Sequence, residues 1–137
     1  MKNSKQNGLR WLRDAEVTLT QAQKIAAVDH TANVVCFLAE QACQKALKGV
    51  LYSDGARQVA IHSIAELAKQ VGERHPEILT LREEAATLDQ YYLSSRYPDA
   101  IAEPAIPAEI FTEDQARRAV AIAREVLEAC ARILSPK

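Results

Sequence analysis

The stretch from Thr31 to Ser53 constrains the fold most, because its apolar residues cover more than one side of a helix. Val34, Val35, Phe37, Leu38, Ala42, Ala46, Leu47, Val50 and Leu51 recur at helical spacing. A helix apolar over that much of its circumference has to be surrounded by other helices. The pattern predicts the central helix of a bundle. Its polar line, Gln41, Lys45 and Lys48 with Gln44 one position away, reads either as a solvated face or as part of a ligand site.

The remaining segments supply the helices to surround it. From about Ser4 to Ala27, Leu9, Leu12, Ala15, Leu19, Ala22 and Ala26 repeat at three and four, with Trp11 beside the stripe. Ala27 to His30 is a break, and Asp29 or Thr31 can cap the helix that follows. Gly55 is the natural left-handed stop after Ser53. Ser63-Ile64-Ala65-Glu66 reads as a capping box in which the two side chains satisfy each other's free amides. It opens a short third helix to about Val71, closed by Gly72. Pro76 opens a fourth helix that carries Ile78, Leu81, Ala85, Leu88 and Tyr92 and stops near Arg96, because Pro98 turns Tyr97 away from helical geometry.

Residues 97–111 hold three prolines and no period, and connections of that length are functional or disordered. Thr112-Glu113-Asp114-Gln115 is a second capping box, opening a last helix to about Leu134, with Ser135-Pro136-Lys137 as a frayed end. No segment alternates as a half-buried strand does. The fold class is all-α: an up-and-down helical bundle of four long helices plus one short helix, forming a single domain over residues 1–137.

A chain of 137 residues buries roughly two-thirds of its unfolded surface without staples. The formal net charge of −1 argues against broad, sequence-independent nucleic-acid binding, which needs many cations on phosphates. Cys36, Cys43 and Cys130 are odd in number and form no CxxC pair, so they read as small buried apolar residues in a reducing compartment. No segment has the length of a membrane span and the N-terminus lacks a signal-peptide core. A cytoplasmic protein is expected.

Three tyrosines, Tyr91, Tyr92 and Tyr97, fall within seven residues beside Arg96 and Asp99. Stacking faces next to charged hydrogen-bonding heads suit a phosphate or base site. The same arginine also fits a plain helix stop, where its charge meets the last free carbonyls. There is no phosphate loop, no HExxH, no GxSxG and no ligand-like spacing among His30, His62 and His75. Neither a metal nor a cofactor is expected. Arg57 and His62 are separated by four residues. A histidine that deprotonates a ribose hydroxyl and an arginine that steadies the phosphate form a minimal metal-free RNA-cleaving pair.

Phe37 to Lys48, His62-Ser63-Ile64-Ala65-Glu66-Leu67, Leu88 to Asp99, and Phe111 to Ala116 together resemble the HEPN domain family (higher eukaryotes and prokaryotes nucleotide-binding domain), in its prokaryotic single-domain form. The resemblance implies a helical bundle that forms homodimers and is often encoded beside a minimal nucleotidyltransferase in a toxin–antitoxin-like pair. It also implies that some relatives are metal-independent ribonucleases with an arginine and a histidine four to six residues apart before the last helix. Here Arg96 stands at that place, but Ile101, Ala102 and Glu103 follow where histidine would be needed. Gln44 replaces a glutamate that relatives often carry just before the first lysine.

Taken with the resemblance, Lys45, Lys48, His62, Arg96, Tyr97 and Asp99 form a candidate ligand site. Lys45, Lys48 and Arg96 would hold phosphate, Tyr97 would stack on a base and Asp99 would orient Arg96. Arg57, His62 and Arg96 are the candidates if the protein cleaves RNA. The leading expectation is a dimeric nucleotide- or RNA-binding subunit that partners a minimal nucleotidyltransferase. The alternatives are a metal-independent ribonuclease toxin and a structural helical adaptor.

Overall fold

The computed structural model describes residues 3–135, and the expected frayed end at Pro136 and Lys137 lies outside them. Three helices of 22 residues form the frame: α1 (Ser4–Ile25), α2 (Ala32–Ser53) and α7 (Glu113–Leu134). Between α2 and α7 come α3 (Ile64–Gly72), α4 (Leu79–Ala86), α5 (Tyr91–Ser94) and α6 (Pro107–Ile110). The central helix is α2, with Val35, Cys36, Ala39, Ala42, Cys43, Ala46, Leu47 and Val50 all buried between its neighbours.

The α1–α2 pair packs backbone to backbone. A Cβ on Gly8 would stand 2.6 Å from the Gly49 carbonyl oxygen, and one on Gly49 would stand 2.8 Å from the Gly8 oxygen. Only glycine allows that approach. Trp11 closes the edge of the same contact, its ring 5.3 Å from that of Tyr52. Gly55 has φ of 108°, the left-handed stop expected after α2.

Thr31 caps α2 through its backbone, accepting from Val35 N at 3.0 Å. Its hydroxyl instead turns back to donate to the Val28 and Ile25 carbonyls, which binds α2 to the end of α1. The α7 capping box forms as expected, Gln115 N donating to Thr112 Oγ1 at 3.1 Å and Thr112 N to Gln115 Oε1 at 2.8 Å.

Two local expectations need correction. The fourth long helix is broken into a 3-10 turn (Pro76–Ile78), α4, a second 3-10 turn (Thr87–Gln90) and α5. Side chains compete for its carbonyls: Thr87 Oγ1 donates to Glu84 O at 2.6 Å and Gln90 Nε2 to Thr87 O at 2.7 Å. Such local bonds offer the backbone an alternative to the regular ladder.

The second correction concerns the start of α3, where the box is only half made. Ser63 Oγ accepts from Glu66 N at 3.2 Å, but Glu66 receives Gln70. Asp89, from the second 3-10 turn, takes the vacated role, accepting from Ile64 N at 2.6 Å, Ala65 N at 3.1 Å and Ser63 Oγ at 3.1 Å. A carboxylate there also meets the positive end of the helix dipole. The connection 97–111 is less irregular than its sequence suggests, containing the 3-10 turn Pro98–Ala100 and α6.

The three cysteines are free and buried. Burial pushes the Cys36 and Cys130 thiols up to about 12 and raises Cys43 well above the ordinary range. Thiolate is the reactive form, so iodoacetamide at roughly pH 8 is expected to label none of the three in the folded protein and all of them in denaturant. Labelling of any one at the rate of a free thiol would contradict this packing.

Candidate polar site around Glu40 and Tyr92

The most apolar helix carries a carboxylate at its centre. Glu40 is fully buried because α2 presents Glu40, Gln44 and Lys48 at intervals of four on a face covered by neighbouring segments. Gln41 Nε2 donates to Glu40 Oε1 at 2.8 Å and Gln44 Nε2 donates to Oε2. Burial drives the Glu40 carboxyl above its ordinary pKa; the Gln44 and Gln41 amides pull it back, Asp89 adds to the rise and Arg96 opposes it. Burial lowers the Lys48 ammonium, against which Glu40 acts.

A carboxyl raised in the folded state releases its proton later there than in the unfolded chain. Stability then falls as pH rises from the unfolded value, about 4.3, through the folded one. Urea denaturation between about pH 4 and about pH 7 is expected to show wild type losing stability relative to Glu40→Gln. A pH-independent difference would contradict the raised carboxyl.

From Glu40 the polar contacts lead outward to the surface. His62 Nδ1 lies 3.4 Å from Gln44 Oε1, and its exposed ring stacks on Tyr92 with centroids 5.1 Å apart and planes 20° off parallel. The Arg96 guanidinium lies 4.4 Å from the Phe37 ring centroid, 5.2 Å from that of Tyr92 and 5.0 Å from that of Tyr97. Its Nε and Nη2 both donate to the Tyr92 carbonyl, at 3.1 and 2.9 Å. That bond caps α5 in the manner of an ordinary helix stop, yet it also pins the guanidinium over three aromatic faces. Asn33 Nδ2 fixes the same end, donating to Ser95 O at 3.0 Å.

Of the residues singled out in the sequence, His62, Arg96 and Tyr97 meet around Tyr92, while Lys48 shares the buried α2 face with Glu40. Lys45 turns the other way. Its ammonium donates to Thr18 Oγ1 at 2.9 Å and pairs with Asp14 at 3.3 Å on α1, since one residue beyond Gln44 is about a third of a turn around the helix. Asp99 is exposed on the 3-10 turn, and among the described residues it makes no ion pair or hydrogen bond with Arg96; the Tyr92 carbonyl and the rings orient the guanidinium instead. Arg57 is exposed in the connection before α3, with no hydrogen bond to His62 among the described residues.

Glu40 and Phe37 are not evident as site residues in the sequence, whereas Tyr92 stands among the three tyrosines beside Arg96. The available signals are a carboxylate and an amide four apart inside an apolar helix, and Tyr92 four residues before Arg96. Among the described residues no group of three or more His, Cys, Asp or Glu side chains is placed to hold a metal, and no described helix is long and apolar enough to cross a membrane.

The helical frame is matched by known proteins. The model of the HEPN domain family matches residues 9–134. This chain belongs to the HEPN family. The HEPN chain is similar to TT1696 from Thermus thermophilus, at 33% identity with a TM-score of 0.82 over 92% of this chain and 97% of that one. It is also similar to ST0689, an archaeal HEPN homologue, at 30% identity with a TM-score of 0.76 over 98% of this chain and 100% of that one. No curated protein matches it. The all-helical HEPN architecture expected from the sequence is thus shared with both structures.

Proposed function

We propose that this HEPN protein binds a nucleotide or an RNA end at the cluster around Tyr92. The observation that carries the reading is the Arg96 guanidinium, held over Phe37, Tyr92 and Tyr97 while Nε and Nη2 are engaged by one carbonyl. Among the described residues Nη1 has no acceptor, which opens it to a phosphate oxygen, and an arginine already ordered loses little freedom on binding. His62 and Tyr97 are exposed beside it, giving a hydrogen-bonding edge and a stacking face.

The protein acts in this reading as a homodimer and as the partner of a minimal nucleotidyltransferase in a toxin–antitoxin-like pair, within the cytoplasm. Leu93, 52% exposed, and Tyr97, 49% exposed, flank the arginine and support a face that is covered in an assembly, because adjoining exposed apolar side chains mark interaction surfaces.

A metal-independent ribonuclease is the second reading. His62 and Arg96 both lie against the Tyr92 ring, which brings a base and a phosphate-binding cation to one place by a route other than Arg57.

The test is a thermal-shift screen against nucleotides and short RNAs in EDTA, with RNA integrity followed on the same samples. Stabilisation that grows with ligand excess, with intact RNA, supports binding without cleavage. Metal-free cleavage lost in His62→Ala would establish the ribonuclease instead. Neither shift nor cleavage would leave a helical adaptor.

A further inference from the structure

The bonds leading out from Glu40 fix more than the place of His62. Both Glu40 oxygens accept amide hydrogens, Oε1 from Gln41 and Oε2 from Gln44. The NH2 of Gln44 is thereby committed to the carboxylate, and its Oε1 is the atom left facing His62 Nδ1 at 3.4 Å. An amide oxygen only accepts. A hydrogen bond across this contact requires Nδ1 to carry the proton of the neutral ring, leaving the lone pair on Nε2. Stacking on Tyr92 holds the plane of the imidazole.

We propose that Glu40 and Gln44 are positioning residues that lock neutral His62 as the Nδ1–H tautomer, so that Nε2 faces a ligand as an acceptor and reads a sugar hydroxyl. Which ring nitrogen is protonated is set by the bond that the other nitrogen makes, and here that bond traces back to a carboxylate with no exposure to water. The hydroxyl rests on the nucleotide reading, because it is a donor that every ribonucleotide carries on its sugar whatever the base. The tautomer is a property of the free protein.

Long-range proton–nitrogen spectra of ligand-free protein labelled at histidine nitrogens, taken above the histidine titration and assigned with His62→Ala, read the tautomer directly. The expected pattern for His62 is Nδ1–H. Gln44→Met keeps the length of the side chain but removes the amide oxygen, and should move the ring towards Nε2–H, the form a free imidazole prefers. Wild type already in the Nε2–H form overturns the lock whether or not the variant folds, as does a variant spectrum unchanged from wild type.

A second arm compares adenosine 5′-monophosphate with its 2′-deoxy analogue. Wild type should bind the ribonucleotide about 2- to 10-fold more tightly, and Gln44→Met should close that gap. Equal binding by wild type overturns the hydroxyl reading. Failure of both nucleotides to bind overturns the nucleotide reading together with the hydroxyl one, while the tautomer spectrum decides the lock by itself.

Discussion

Arg96→Ala is expected to weaken nucleotide or RNA binding by about 2–3 kcal/mol, roughly 30- to 150-fold in Kd, while leaving the fold intact. Two losses combine: the charge-assisted bond from Nη1 to phosphate, and the cationic plane held against Phe37, Tyr92 and Tyr97 at 4.4 to 5.2 Å. The side chain is exposed and its only hydrogen-bond acceptor among the described residues is the Tyr92 carbonyl at the end of α5. Stability should therefore change by less than about 1 kcal/mol. Arg96→Lys keeps the charge but not the plane or the fork and should bind at an intermediate level. Isothermal titration beside urea denaturation measures both quantities, and an unchanged Kd in the alanine variant would remove Arg96 from the site.

Asp89→Ala is expected to be the most damaging single polar substitution for stability, at about 2–4 kcal/mol and a fall in Tm of roughly 10 °C. The loss is of two kinds. The start of α3 gives up a charge-assisted cap, and the amide of fully buried Ile64, now bonded at 2.6 Å, is left without an acceptor. Asp89→Asn retains one acceptor oxygen and should recover part of the loss. His62 stands immediately before this cap, so the alanine variant should also weaken ligand binding, whereas Glu66→Ala should do neither. A melting temperature close to wild type would mean that α3 is held by its apolar face alone.

Much of the frame is legible from local signals. The predicted limits of α1, α2 and α7 fall within about two residues of those observed, because apolar periodicity, the Thr112 box and Gly55 act within a few residues of where they stand. The features that escape a sequence reading depend on contacts distant along the chain. Ser63 and Glu66 look like a self-sufficient box, and nothing near them reveals that Asp89 arrives from 25 residues further along to take the amides. The break between α4 and α5 follows from hydroxyl and amide side chains choosing carbonyls over solvent. The backbone contact of Gly8 with Gly49 cannot be read from either glycine alone.

The candidate site is legible only in part, for the same reason. Arg96 and Tyr97 are neighbours in sequence, and their company with Tyr92 follows from helical spacing. Lys45 and Lys48 look equivalent on a polar line, but neighbouring segments divide them: Lys45 goes to Asp14 and Thr18 on α1, and Lys48 to the buried face with Glu40. In sequence Glu40 is one more charge in a helix, and only the covered face of α2 shows that it anchors Gln44 and, through it, His62.

Amide and side-chain shift mapping during titration with a short RNA reports directly whether ligand binds at Tyr92. Binding there is expected to place the largest changes on His62, Tyr92, Arg96 and Tyr97, with smaller ones at Gln44 and Lys48. Away from this cluster the protein has a groove of about 1100 Å³ bordered by Val28, His30, Val35, Phe111, Arg117 and Arg124. Changes concentrated along that groove, with the Tyr92 cluster silent, would mean that the ligand does not bind at Tyr92.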